Sequence, residues 1–299
     1  MKLPENSEKY KKLVLNKIEV YCNNKIWPFD YRDFVLWIQN FDCKKEEYLA
    51  IQMLDSLIVR SNTMAKVSYL RLLRSSIRQY INEKKILEIN SINEWDKILK
   101  TGSMSSLLRF TPVVVENNDG GSGSVVFRLL SPDVDTKKYR YDQSDSNPRL
   151  LIIIDDIIGS GDQFLEYAES INLKEIMKEV HVMYCPFMAF AEGVNTIKSK
   201  FPSLQIIAAE NLSNINSIFY GENENKFKND KENTIKEVKS FYESMQKKYS
   251  PNMPNWLGHN ELALPVVFGW GCPNHAPSIL YMSYSKNYHW SQLFSRRNL

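Results

Sequence analysis

The sequence is poor in the features that would identify several common protein classes at once. It holds four cysteines, Cys22, Cys43, Cys185 and Cys272, with no C-x-x-C pair among them. That excludes a disulfide framework or a zinc ribbon and fits a reducing compartment. No one sign of charge dominates: 38 Lys and Arg against 35 Asp and Glu give a formal charge of +3. Such a balance provides no broad electrostatic footprint for nucleic acid or a membrane surface, so any nucleic-acid contact has to be local. Long apolar runs are also missing, since no window approaches the roughly 18 uninterrupted apolar residues of a spanning helix. The start "MKLPENSEKYKK" lacks the apolar segment of a signal peptide. A soluble, cytoplasmic protein without a membrane partner is expected. There is no internal repeat, no G-x-S-x-G elbow and no Walker A motif, and Phe164 stands where a dinucleotide fingerprint needs its third glycine.

What is present is 43% hydrophobic residues over 299 positions, enough for a large core. Residues 1–100 read as a helical region, with apolar positions recurring every three or four residues. In "DYRDFVLWIQNF" Phe34, Trp37, Ile38 and Phe41 share a face, with Asp30 as the N-cap. Tyr48, Ile51, Leu54 and Ile58 repeat the pattern, and "AKVSYLRLLRSSIRQYI" turns Leu70, Leu73, Ile77 and Tyr80 inward. The opposite stripe of Arg71, Arg74 and Arg78 could meet phosphates, but it is also what the solvated face of an amphipathic helix looks like. Trp27 and Trp37 read as core aromatics.

From about residue 101 the pattern changes to short β-rich runs alternating with helices. The runs are "TPVVVE", "SVVFRLL", "LLIIIDDI", "EVHVMYCPF", "LQIIAAE" and "LALPVVFGW"; helices are expected near 161–172, 187–200 and 230–248. Alternation of strand and helix predicts an α/β fold of right-handed βαβ units on a Rossmann-like parallel sheet, with residues 101–299 as its core. "LLIII" lacks polar alternation, as a strand covered on both faces does. The polar, glycine- or proline-bearing stretches 116–124 and 131–148 read as loops.

The chemistry concentrates in "RLLIIIDDIIGSGDQF". In an open parallel sheet ligands sit beyond the carboxyl ends of the strands, and Asp155 and Asp156 fall at that edge. Gly159 and Gly161 then allow a tight turn into a helix that starts within Ser160–Gln163. A glycine-bearing turn at a helix N-terminus is an anion cradle, because unpaired N–H groups and the positive dipole end face the same point. Two ionised carboxylates are acceptor-only groups suited to ribose hydroxyls or a magnesium-bound ligand, so the stretch describes a ribose 5-phosphate site. Two plainer readings stay open: Ser160 and Gln163 match the S-x-x-Q capping box, and adjacent aspartates can simply end a strand. A receiver-like phosphoacceptor also clusters aspartates at strand ends, but gives the Gly-Ser-Gly turn no purpose. Cys272 and His275 form a single C-x-x-H without a second spaced pair, a poor zinc signal. No protein-bound metal is expected; Cys272 reads as a packed thiol, and His181 and His289 as structural.

Four or more apolar residues, an acidic pair, two apolar residues and a turn bearing Ser and Gly resemble the phosphoribosyl pyrophosphate signature of type I phosphoribosyltransferases. The chain is similar in particular to the phosphoribosyltransferase-like proteins of bacterial conflict and anti-phage systems. That narrower likeness rests on "WIQNF" in the helical front, "GGSGS" before the signature strand and "FMAFAEG" after the next. It extends to an ending of Pro273 and Asn274, then Trp290, Leu293, Phe294 and Arg296. The resemblance implies that Asp155 and Asp156 meet the ribose 2- and 3-hydroxyls, that Gly159, Ser160, Gly161, Asp162 and Gln163 bind the 5-phosphate, and that magnesium arrives on the pyrophosphate. It points to Gly120, Gly121, Ser122, Gly123 and Ser124 for a pyrophosphate loop. Trp270, Asn274 and His275 are candidates for a hood over a nucleobase. It implies an effector or toxin binding phosphoribosyl pyrophosphate or a nucleotide, working with other proteins of a defence operon. One departure stands out: orthodox signatures close the turn with a second Thr, where this chain has Asp162 and Gln163, and a negative side chain beside a phosphate is unfavourable unless it points away. The alternative that this departure favours is a nucleotide-sensing or scaffold protein that kept the fold without the chemistry.

Overall fold

The computed structural model describes residues 1–114, 122–141, 148–221, 230–285 and 289–296. In chain order the helices and strands are α1 (Ser7–Asn23), α2 (Tyr31–Ile38), α3 (Lys44–Asp55), β1 (Ile58–Arg60), α4 (Asn62–Leu72), α5 (Arg78–Glu83), α6 (Ile92–Thr101), β2 (Leu108–Pro112) and α7 (Ser122–Leu130). They continue as β3 (Leu150–Ile158), α8 (Asp162–Ser170), α9 (Leu173–Glu179), β4 (His181–Phe190), α10 (Ala191–Lys200), β5 (Gln205–Ile206), β6 (Glu210–Leu212), α11 (Ile235–Tyr249) and β7 (Val266–Phe268). Contacts divide the chain into two units, residues 1–61 with 214–298, and residues 62–213.

The second unit carries the signature strand. Its sheet runs β2-β3-β4-β5, with β6 also on β4, and every pairing is parallel. All nine residues of β3 are buried, as its unbroken apolar run requires of a strand covered on both faces. Alternation then sorts its side chains. Leu151 and Ile153 join Phe164, Tyr167 and Ala168 of α8, Leu173 of α9 and Ile197 of α10 in one cluster. On the other face Phe110, paired with Ile152, stacks on Phe127 of α7.

Ser91 caps α6 by accepting from the Glu94 N–H at 3.1 Å, and Gly102 closes it at φ +66°. Between α4 and α5, residues Leu73–Ile77 form a π-turn. The extra residue of that wider turn shifts the buried stripe, so Ala65, Tyr69, Leu72, Leu73, Ile77 and Ile81 are buried while Leu70 and Tyr80 are only half so. "SVVFRLL" is helical rather than a strand. Its β-branched content is overridden by a helical pattern in which Val126, Phe127 and Leu130 are buried.

In the first unit Asp30 caps α2 through the Arg32 N–H at 2.9 Å, and Thr234 with Glu237 forms a capping box on α11. The predicted Phe34, Trp37 and Ile38 face is buried with Tyr48, Leu54, Tyr242 and Trp256 in a single core. "LALPVVFGW" yields β7, which pairs in parallel with β1 as a separate two-stranded sheet and does not extend the five-stranded one.

Candidate functional site

The acidic pair does not end its strand. Pairing of β3 with β2 stops at Pro112 and Ile154, whereas pairing with β4 continues through Asp155 and Pro186, Ile157 and Met188, and Ile158 and Ala189. Asp155 and Asp156 therefore lie where β3 loses one neighbour and keeps the other, ahead of the strand end at Ile158. The edge position expected from sequence is corrected in this respect. The ten-residue β4 keeps the following Ile157 and Ile158 in the sheet, and both aspartates are only 1% exposed.

Asp155 is held at three atoms. Its Oδ1 accepts from the Asp156 N–H at 2.8 Å and its Oδ2 accepts from the Tyr184 hydroxyl at 2.7 Å. Its carbonyl shares the Tyr69 hydroxyl with the Cys185 carbonyl, the latter at 2.6 Å. The Tyr69 hydroxyl thereby joins the backbones of β3 and β4 just past the point where β2 pairing ends. Burial, with the nearby Asp155 carboxylate, pushes the Tyr184 hydroxyl well above its ordinary range, and burial with Cys185 does the same for Tyr69. Both stay protonated donors. The Tyr184 ring stacks on Phe164 of α8 at 4.0 Å.

The turn after β3 has the expected backbone. Gly161 sits at φ +94° as the N-cap residue of α8, a conformation that favours glycine. The Ser160–Gln163 capping box does not form, because the N-cap is Gly161 and it makes no side-chain cap. The Ser160 hydroxyl instead donates to Asp162 Oδ2 at 2.7 Å, and the Asp162 N–H reaches back to Ser160 Oγ at 3.4 Å. The carboxylate of Asp162 thus lies at the turn expected to cradle phosphate, where the helix dipole favours negative charge of any origin. The first turn of α10 closes against the same backbone: a Cβ on Gly193 would stand 2.0 Å from the Gly159 carbonyl oxygen.

Of the residues considered for a pyrophosphate loop, Gly120 and Gly121 lie outside the described residues. Ser122, Gly123 and Ser124 open α7. There Gly123 fits against the backbone where β2 and β3 part, and a Cβ would be 2.9 Å from the Ile154 oxygen and from Val113 N and O. The α7 N-terminus is thereby brought beside the residue preceding Asp155.

Trp270, Asn274 and His275 belong to the first unit. Trp270 stacks on Phe268 at 4.6 Å with an 8° interplanar angle, Asn274 gives its carbonyl to the His259 N–H, and His275 is buried with its ring edge-on to His259. Cys272 is buried and points its thiol toward the Val266 carbonyl. Among the described residues no three His, Cys, Asp or Glu side chains are grouped to hold a metal, and no helix is long and apolar enough to cross a membrane. Of the arginine stripe, Arg74 makes a two-point pair with Asp96 at 2.9 and 3.0 Å, and Arg78 donates to the Arg74 carbonyl.

Sequence reasoning missed Tyr69, Tyr184 and Gly193. Tyr184 carried a faint signal as a hydroxyl inside the apolar run "VMYCPF". Gly193 carried another as a glycine within the first turn of a helix, where it costs propensity unless something approaches closely.

Among solved structures, the chain is similar to an orotate phosphoribosyltransferase from Aeropyrum pernix, at 11% identity and a TM-score of 0.25, covering 39% of this chain and 66% of that one. It is also similar to the AQ2163 protein from Aquifex aeolicus, at 12% identity and a TM-score of 0.26, covering 46% and 85%. The chain thus spans just under two thirds of the length of the first of these. No curated protein matches. The family model described as PRTase-CE matches residues 35–296, most of the chain, and the chain belongs to the phosphoribosyltransferase-like PRTase-CE family.

Proposed function

We propose that the chain binds a 5-phosphorylated ribosyl ligand, phosphoribosyl pyrophosphate or a nucleotide, with magnesium carried on the ligand. In this reading it serves as an effector of anti-phage defence beside other proteins of a defence operon. The observation that supports the reading is one continuous arrangement: β3 loses β2 at Ile154, presents Asp155 and Asp156, and turns at Gly159–Gly161 into the N-terminus of α8. A carboxylate accepts ribose hydroxyls, and a helix N-terminus accepts phosphate. With a transferred group, an acceptor nucleophile would bond to the anomeric carbon as the carbon–oxygen bond to pyrophosphate breaks, its electron pair leaving with the pyrophosphate. Positioning and fixed electrostatics carry such a step.

A second reading, a nucleotide sensor or scaffold without turnover, is favoured by the Ser160–Asp162 hydrogen bond, which fills the turn with the protein's own carboxylate. Calorimetry with phosphoribosyl pyrophosphate and with nucleotides, with and without magnesium, separates the possibilities. Binding by wild type, lost in the Asp155→Ala/Asp156→Ala variant, supports a ribosyl site, and pyrophosphate release then distinguishes transferase from sensor. Absence of binding by the wild-type protein overturns both readings.

A further inference from the structure

Helices α8 and α10 begin close together: a Cβ on Gly161 would stand 3.0 Å from the Gly193 carbonyl oxygen and 3.1 Å from Ile197 Cγ1. At their far ends, with the start of α9, they line a cavity of about 280 Å³, close to the lower end of the roughly 300–1,000 Å³ range of small-molecule sites. Its apolar wall is Leu165 and Ala168 of α8, Leu173 of α9 and Phe201, the C-cap residue of α10. Lys174, Lys200 and Glu169 supply its charge. The Lys174 ammonium lies 6.0 Å from the centre of the Phe201 ring. Phe201 meets Phe164 edge-on at 6.3 Å, and Phe164 stacks on Tyr184, the donor to Asp155. A ligand in the cavity therefore bears on the helix that opens at the glycine turn.

The lysines of the cavity differ from their neighbours. Lys178 is paired with Glu175 at 2.6 Å, and Lys198 donates to the Leu204 carbonyl. Among the described residues neither the Lys174 nor the Lys200 ammonium has an ion-pair or hydrogen-bond partner. A lysine at the end of α10 complements that helix's dipole, which accounts for Lys200. Lys174 stands instead in the first turn of α9, where a cation opposes the dipole. Two unpaired ammonium groups beside an apolar wall match a molecule that is apolar at one end and anionic at the other. Glu169 at the same cavity, and the carbonyls that end α8 and α10, disfavour a doubly charged head group. The geometry points to this cavity as a binding site for a small carboxylic acid with an apolar body. Its carboxylate meets Lys174 and Lys200, and its body lies against Leu165, Ala168, Leu173 and Phe201. Two sources share that chemistry, a simple aryl or alkyl acid and an apolar amino acid, whose ammonium group Glu169 would accept. The site is separate from the ribosyl reading above and stands without it.

Calorimetry on the full chain with 3-phenylpropionate and with phenylalanine tests the assignment. At least one of the two should bind saturably, at about millimolar affinity or tighter. The alcohol 3-phenylpropanol, which has the same body without the charge, should bind about tenfold more weakly than the acid. Lys174 and Lys200 are exposed, so Lys174→Gln/Lys200→Gln leaves the fold intact. It should weaken the acid by about tenfold and leave the alcohol unchanged. Glu169→Gln separates the two sources: it should weaken phenylalanine severalfold and leave 3-phenylpropionate as in wild type or tighter. The methyl resonances of Leu165, Ala168 and Leu173 should shift along the same saturation curve as the heat. Absence of binding by both acids to the wild-type chain would overturn the proposal. So would binding that is unchanged in the double lysine variant, or a titration that leaves those methyl resonances where they were.

Discussion

Gly193 lies against the Gly159 carbonyl so closely that a Cβ would come 2.0 Å from the oxygen and 2.8 Å from Ile158 Cγ2. One side of this contact is the first turn of α10, and the other is the turn that follows the acidic pair. Because the obstructed atom is backbone, a side chain at 193 can be accommodated only by moving the turn. Gly193→Ala should therefore lower stability by about 2 kcal/mol, the scale of an overpacked core, although alanine is the better helix former. Urea denaturation should show a reduced midpoint at unchanged slope, and binding of phosphoribosyl pyrophosphate should weaken in parallel. Wild-type stability in this variant would mean that the turn is free to shift.

The alkaline limb of stability should report the tyrosines around the sheet. Burial pushes the Tyr167 hydroxyl up to about 12, opposed in part by its hydrogen bond with Thr111, and burial likewise pushes Tyr139 up to about 12. In the unfolded chain both ionise near pH 10. Between these values the native state holds more protons than the unfolded state, so stability falls as pH rises from about 10 toward 12 and is fully present below 10. Tyr167→Phe should reduce the steepness of that fall by about one proton. Denaturation midpoints across the alkaline range, followed with tyrosinate absorbance, check the slope.

The three arginines of the stripe differ in their surroundings. Arg74 is committed to Asp96, and the partners are 40% and 38% exposed at the side chain, so the pair is worth at most about 1 kcal/mol. Arg71 remains exposed on α4. The triple change Arg71→Glu, Arg74→Glu and Arg78→Glu should leave gel-shift behaviour as in wild type. A salt-sensitive shift present in wild type and abolished in the variant would show that the stripe is a nucleic-acid contact.

What the sequence made legible was whatever rests on a short window. Leu150–Ile154 reads as a buried strand because five successive apolar residues fit only a doubly covered position. Asp30 and the Phe34–Trp37–Ile38 face read correctly because caps and helical periodicity are local. The misread segments depend on distant partners. "SVVFRLL" is helical because that shape buries Val126, Phe127 and Leu130 together, with Phe127 on Phe110 of β2, and Ile58–Arg60 is a strand because Val266–Phe268 lies beside it. The same limit applies within the site. The residues Asp155, Asp156 and Gly161 are visible as a motif, but the extension of β3 past them is set by β4, and the clamp on Asp155 comes from Tyr69 and Tyr184 on other elements.

Asp162 gives the sharpest test of the ligand. Its carboxylate accepts from Ser160 over the turn, so an incoming phosphate has to displace it and then bear its charge at short range. Asp162→Asn keeps a side chain able to accept from Ser160 and removes only the charge. Affinity for a 5-phosphorylated ribosyl ligand should then rise by about three- to tenfold, a modest gain because water screens a pair at an exposed turn. The gain should shrink as ionic strength increases. A nucleoside lacking the phosphate should bind wild type and variant alike, which makes it the control. If the variant instead binds the phosphorylated ligand more weakly, Asp162 holds the ligand or its magnesium, and the departure from the orthodox turn is an adaptation for binding rather than an obstacle to it.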